Sequence, residues 1–289
     1  MGRNAIILVD KGEGITSFDC LGRIKRTVNR KTGHCGTLDK FAHGLMIVLC
    51  GSYTHLVPAF MGLDKTYEAV IEFGKMTDTL DPEGEVVETS PVPSEAVVTS
   101  ALARLAGTQY QVPPVYSAIH VDGKRSYQIA RSGAAEVDLK PRLINIRYVE
   151  MLSWEPPFLT VRLDVSKGTY VRAFARDLGH MCNSSAYVKA LYRTKIGPFD
   201  VRDAVRHDDQ SALEEADEGR RFLEMLPGCM NIEVNDIEAF KASNGYVKNS
   251  VRERIPSGCS LSVLMHGGNP VCVYSVGEGR IICQVHHDS

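Results

Sequence analysis

The stretch GHCGTLDKFAHG, residues 33–44, sets three glycines and two histidines around a single carboxylate, Asp39. Several glycines beside one acid imply a backbone that turns sharply or lets a ligand approach closely. Asp39 could equally be a turn residue or a helix cap, and spacing alone leaves both readings open. Outward from this stretch the pattern becomes regular. Residues 4–10 (NAIILVD) read as a strand, KGEGITS as a turn, and Ser17 as the cap of a helix. In SFDCLGRIKRTV the residues Phe18, Leu21, Ile24 and Val28 fall at helical spacing, while Arg23, Lys25, Arg26, Arg30 and Lys31 point elsewhere and give a basic outer face. On the other side GLMIVLCG predicts a buried strand and THLVPAFMG a short helix. KTYEAVIEFG predicts a strand with Tyr67, Ala69 and Ile71 on one face.

Further along, MTDTLDPEGEVVETSPVPSE reads as an exposed connection or a ribbon with turns. SEAVVTSALARLAG predicts a helix capped by Ser94 and ended by Gly107. Residues 143–165 predict antiparallel strands, VRAFARDLGHMC a helix and YVKALYRTKIGPF a strand, so the core is mixed α+β. An acidic, helix-prone connector, HDDQSALEEADEGRRF, precedes the strand-like runs SLSVLMH, PVCVYSV and RIICQVH. These shifts divide the chain into a domain over residues 1–205, a connector over 206–230 and a small β-rich domain over 231–289.

Composition narrows the function classes. The chain has 289 residues, 44% hydrophobic and 24% charged, which suits a soluble globular protein of about two domains. No apolar run approaches the roughly 18 residues of a membrane span. The apolar part of MGRNAIILVDKGEG is too short for a signal peptide, so a cytoplasmic location is expected. The eight cysteines are scattered without a CxxC pair, which favours reduced thiols and no structural metal. A net charge of -2 means that a nucleic-acid partner would be held by local basic patches. There is no phosphate-binding GxxxxGK[ST] string, no third glycine after Gly12 and Gly14, and no HExxH or GxSxG.

The stretch around Asp39 resembles the catalytic motif of the TruB family of tRNA pseudouridine synthases, GHTGTLDPxATGxL, in which the aspartate is catalytic. Four further strings follow in the family's order. KGEGITS is similar to KPxGxTS, and KTYEAVIEFG to KxYxAxxxxG. PPVYSAIHVDGKRSYQIAR is similar to PPxYSAxKxxGxxxYxxAR, and SKGTYVRAFARDLG to SKGTYIRxLxxDLG. The matches span residues 11–199. This chain departs at Gly12 for Pro, Cys35 for Thr or Ser, Lys40 for Pro, His43 for Thr and His120 for Lys.

The resemblance implies a pseudouridine synthase fold with a central antiparallel or mixed sheet, followed by a PUA-like β domain. It implies isomerisation of the uridine at position 55 in the T arm of tRNA, by a monomer that needs no cofactor, metal or protein partner. Asp39 would act at the ribose as nucleophile or base. Arg172 would face it and keep it ionised, since burial otherwise favours the protonated carboxyl. Tyr67 would stack on the flipped base, whose lost stacking needs a substitute surface. Tyr170 matches a second family tyrosine; in an extended segment it would share a face with Arg172. Leu191 would line the pocket and His34 would contact the RNA loop. Gly36, Lys65 and Tyr116 fall within the matched strings as substrate-binding positions. Lys25, Arg26, Arg30, Lys31, Lys124, Arg125 and Arg131 are candidate phosphate contacts. An RNA-folding helper without chemistry would need these basic patches but not Asp39 with Arg172. A glycoside-cleaving enzyme would need a second motif-embedded carboxylate.

Overall fold

A computed structural model of the chain describes residues 2–117, 120–121, 124–125, 139–215 and 219–285. Arg131 lies outside the described residues, as do the side chains of His120, Lys124 and Arg125. Two compact units emerge: residues 1–40, 44–62 and 198–289 in one, residues 41–43 and 63–197 in the other.

In the first unit the strand Ala5–Lys11 pairs antiparallel with His43–Cys50 and parallel with the short Val205–Arg206. Residues 5–9 and 44–50 are buried throughout, which is why they read as continuous apolar runs and not as alternating ones. The helix Ser17–Thr27 covers one face, packing Cys20, Leu21 and Ile24 against Ile7, Val9, Met46 and Val48. Its cap is Thr16, one residue before the expected Ser17. Thr16 Oγ1 accepts from the Asp19 N–H at 3.1 Å while Asp19 accepts from the Thr16 N–H at 3.1 Å, a reciprocal capping box. Phe18, expected on the buried face, is 70% exposed. Ser17 takes the inner position instead, because its hydroxyl has partners there that a phenyl ring lacks.

The C-terminal part of this unit is a four-stranded sheet in the order Cys229–Glu233, Leu261–His266, Asn269–Ser275, Arg280–Gln284. Its first pair is parallel and the rest antiparallel. The helices Asp236–Ser243 and Asn249–Arg252 close it with Ala239, Ala242 and Val251 against Leu264, Cys272 and Tyr274.

In the second unit five strands lie antiparallel in the order Ala186–Ile196, Lys65–Phe73, Phe158–Val165, Arg142–Glu155, Gly107–Gln111. Lys65, Tyr67, Ala69 and Ile71 are buried and alternate with half-buried neighbours, as the sequence pattern predicts. The helices Glu95–Leu105 and Val171–Met181 pack onto this sheet. Ser94 does occupy the N-cap of the first, but its side chain makes no capping hydrogen bond. The acidic stretch after Lys75 forms a ribbon, Lys75–Thr77 with Val86–Thr89. The α+β class therefore holds, with mixed pairing in the first unit. Among the described residues no helix is long and apolar enough to cross a membrane.

Candidate active site

The segment carrying Asp39 is fixed on both sides of that residue. Before it, the buried Ser17 hydroxyl accepts from the Leu38 N–H at 2.9 Å and donates to the Leu38 carbonyl at 2.8 Å. After it, the Lys40 carbonyl accepts from the Gly14 N–H at 2.9 Å and from Lys11 Nζ at 3.5 Å. Lys11 is fully buried, and its ammonium also donates to the Gly12 and Ile15 carbonyls at 2.9 and 2.8 Å. Carbonyl oxygens thus surround a charge that would otherwise be costly to bury. Asp39 itself is half-buried, between the bonded backbone of Leu38 and the bonded carbonyl of Lys40.

Gly36 has φ +88 and Gly44 φ +111, left-handed conformations that a side chain would strain, which accounts for the glycines around the acid. His34 ends the strand Thr32–His34, in register with Val48, and the Cys35 N–H donates to Ile47 at 2.9 Å. Two buried thiols of this unit, Cys20 and Cys50, offer no rival nucleophile. Burial pushes Cys20 up to about 11 and Cys50 up to about 12, so neither is a thiolate at neutral pH.

Three departures from the family pattern find physical partners. The Gly12 N–H donates to His207 Nδ1 at 3.1 Å, a bond that proline could not make, and a Cβ there would lie 2.7 Å from the imidazole. At position 40 the anchor is the carbonyl, which lysine and proline share. His43 stacks on Tyr192 with ring centroids 4.4 Å apart.

Arg172 lies in the first turn of the helix Val171–Met181 and is 6% exposed. One guanidinium nitrogen donates to the Thr79 carbonyl at 2.9 Å and to Asp81 Oδ2 at 3.1 Å; the other donates to the Tyr116 carbonyl at 2.9 Å. The side chains of Arg172 and Asp81 are 7% and 6% exposed, a buried ion pair. Tyr170 caps the same helix. Gln111 grips its backbone from both sides, accepting from its N–H at 2.9 Å and donating to its carbonyl at 3.2 Å. The expectation that an extended segment puts Tyr170 and Arg172 on one face is corrected here, because the helix begins at Val171 between them.

Tyr67 and Leu191 sit on adjacent strands. Tyr67 is opposite Arg193 and Leu191 opposite Ala69, so the two candidates are diagonal neighbours on one buried face. Lys65, at the start of the Tyr67 strand, is buried and donates to the Leu63 carbonyl. The Tyr116 contact to Arg172 runs through its backbone.

Sequence reasoning missed Asp81, Gln111 and the fully buried Arg193. Asp81 lies in a stretch whose Asp, Pro and Gly content marks surface, and no periodicity betrays it. Lys11 had a signal, as the first residue of KGEGITS.

Comparison with known proteins agrees with this architecture. The sequence profile of the TruB family pseudouridylate synthase, N-terminal domain, matches residues 25–171. The chain is 42% identical over 232 residues to tRNA pseudouridine synthase B of Opitutus terrae, covering 79% of this chain and 96% of that protein. It is 38% identical over 229 residues to the protein of the same name from Bordetella pertussis, covering 78% and 93%. In fold it resembles a chain from the crystal structure of a Cbf5-Nop10-Gar1 complex, with a TM-score of 0.64 at 21% identity, covering 98% of this chain and 84% of that one. A profile match across half the sequence, together with relatives of this identity along most of their length, means that the chain belongs to the TruB family of pseudouridylate synthases.

Proposed function

We propose that this enzyme isomerises uridine to pseudouridine in tRNA, at position 55 of the T arm, with Asp39 as the catalytic carboxylate. The bond from ribose C1′ to uracil N1 breaks, the base turns, and C1′ joins C5; N1 gains a proton and C5 gives one up. Atoms and electrons balance within the nucleotide. Asp39 acts at the ribose, as nucleophile or as base. Arg172 keeps Asp39 ionised, Tyr67 stacks on the flipped base, Leu191 lines the pocket, and Tyr170 belongs to the catalytic set with them. His34, Gly36, Lys65 and Tyr116 bind the substrate. The enzyme works as a cytoplasmic monomer without a protein partner or cofactor.

The observation that carries this reading is the double anchoring of Leu38 and Lys40 on either side of Asp39. A carboxylate that must meet one ribose carbon gains from a backbone fixed before substrate arrives. A mere turn residue has no such need.

The test is to incubate the protein with unmodified tRNA, without added cofactor, and to map pseudouridine chemically. Wild type should modify the T-loop uridine. Asp39→Asn should lose at least about a thousandfold in rate, the scale for removing a nucleophile, with tRNA affinity within several-fold. No product from wild type, or full activity in Asp39→Asn, overturns the assignment.

A further inference from the structure

The helix Ser17–Thr27 should have hidden its only aromatic residue. Instead Phe18 is 70% exposed, with Lys25 Nζ 4.5 Å from its ring centroid. Arg23, Arg26, Arg30 and Lys31 are exposed on and just beyond the same helix, and Asp19 is the only acid within it. A chain of net charge -2 thus carries an excess of positive charge along and just beyond the helix that exposes this phenyl ring.

This patch is coupled to the Asp39 segment. Ser17, the neighbour of Phe18, holds both backbone groups of Leu38, the neighbour of Asp39. On the other flank, Asp19 lies close enough to Lys40 to feel its charge; the hydrogen bonds from Thr16 chiefly hold this carboxyl below its usual range, and Lys40 adds to them. The ring is thus one residue away from each link to the segment that presents Asp39. Phe18 and Asp39 are each one residue from the Ser17–Leu38 hydrogen-bond pair, so the exposed ring lies near the segment that presents Asp39.

We propose that Phe18, flanked by Lys25, is a stacking platform for a nucleotide neighbouring the target uridine in the bound RNA. An aromatic plane in a basic surface is the device by which proteins hold unstacked bases, and the cation beside it neutralises a phosphate. This rests on the proposed RNA substrate, and it names a binding contact apart from the residues that act on the uridine.

The test measures affinity for unmodified tRNA, and separately the single-turnover rate at saturating enzyme, for Phe18→Ala, Phe18→Leu, Phe18→Trp and Lys25→Gln. Because Phe18 is exposed, the substitutions should fold, and Phe18→Leu keeps an apolar side chain of similar size. Phe18→Ala and Phe18→Leu should each bind about tenfold more weakly, the lower range for one lost base stack. Phe18→Trp should bind as wild type, and Lys25→Gln should reduce the salt slope of binding by about one. At saturating enzyme the single-turnover rate should fall by a smaller factor than the affinity does, because saturation compensates for weaker binding. Phe18→Ala binding within twofold of wild type overturns the platform. So does wild-type affinity in Phe18→Leu, which would make the ring ordinary apolar surface. Should wild type form no pseudouridine while its RNA affinity still depends on an aromatic residue at position 18, the catalytic assignment fails and the platform stands.

Discussion

Around Asp39 the restraining atoms are backbone: the N–H and carbonyl of Leu38 on the Ser17 hydroxyl, and the carbonyl of Lys40 on Gly14 and Lys11. Around Arg172 the restraint is a buried side-chain pair with Asp81, supplemented by the carbonyls of Thr79 and Tyr116. The first arrangement leaves a carboxylate half-exposed. The second keeps a cation in place by surrounding it. They should therefore fail differently: loosening the first costs rate more than stability, whereas breaking the second costs both.

The largest effect is expected at Arg172. Arg172→Ala strands the Asp81 carboxylate in the core and should destabilise the protein by about 3–5 kcal/mol in urea unfolding at neutral pH. Arg172→Lys keeps the charge, but an ammonium cannot spread over the three acceptors that two guanidinium nitrogens reach, so most turnover should still be lost. A double-mutant cycle with Asp81→Ala should give a coupling of about 1–3 kcal/mol. Coupling near zero would mean that Asp81 does not hold the arginine, and the contrast between the two regions would collapse.

A smaller loss of stability, with a marked loss of rate, is expected for Ser17→Ala. Two hydrogen bonds disappear, worth about 1–2 kcal/mol together in a buried site. The single-turnover rate on tRNA at saturating enzyme should fall by about tenfold to a hundredfold, because a small displacement of a reacting group is expensive. If stability falls and the rate does not, Leu38 is held for folding alone.

The smallest effect separates charge from position in the second unit. Glu72 is 8% exposed on its side chain and accepts from the Tyr187 hydroxyl at 2.6 Å. Burial alone would raise its pKa. The hydrogen bonds from Tyr187 and Lys75, with the charges of Lys75 and Lys189, outweigh burial and hold it below the usual carboxylate range. A folded-state pKa below the unfolded one stabilises the fold above about pH 4.3, the unfolded value, and that stabilisation disappears as pH drops through the folded value. Glu72→Gln should therefore be about 1 kcal/mol less stable than wild type at pH 7, with the gap closing near pH 3 in denaturant titrations. A gap that persists unchanged at pH 3 would assign the loss to shape, not charge.

How far the sequence reaches differs between the same two regions. The Asp39 segment was legible because its glycines at positive φ and its own matched string lie within a few residues of the acid, although Ser17, Gly14 and Lys11, which anchor it, do not. The arginine site was half legible. Arg172 sits in a matched string, yet Asp81 is 91 positions away in an acidic stretch and Gln111 is 59 positions from the Tyr170 backbone that it grips. Phe18 shows a misreading of another kind, since helical spacing admits either Ser17 or Phe18 to the inner face. Only the need of the Leu38 backbone for a hydroxyl chose between them.

The sequence by itself determined the α+β class, the strands around residues 5–11 and 65–73, the identity of the catalytic carboxylate candidate and the family to which the chain belongs. The class and the strands follow from periodicity and apolar run length; the carboxylate candidate and the family follow from the matched strings. The tertiary structure alone decided which acid is buried against Arg172, that Val171 starts a helix and separates Tyr170 from Arg172, and that Lys11 is enclosed by carbonyls behind the Asp39 segment. A buried charge must find its counterpart wherever the fold brings one near, and no local pattern records that partner.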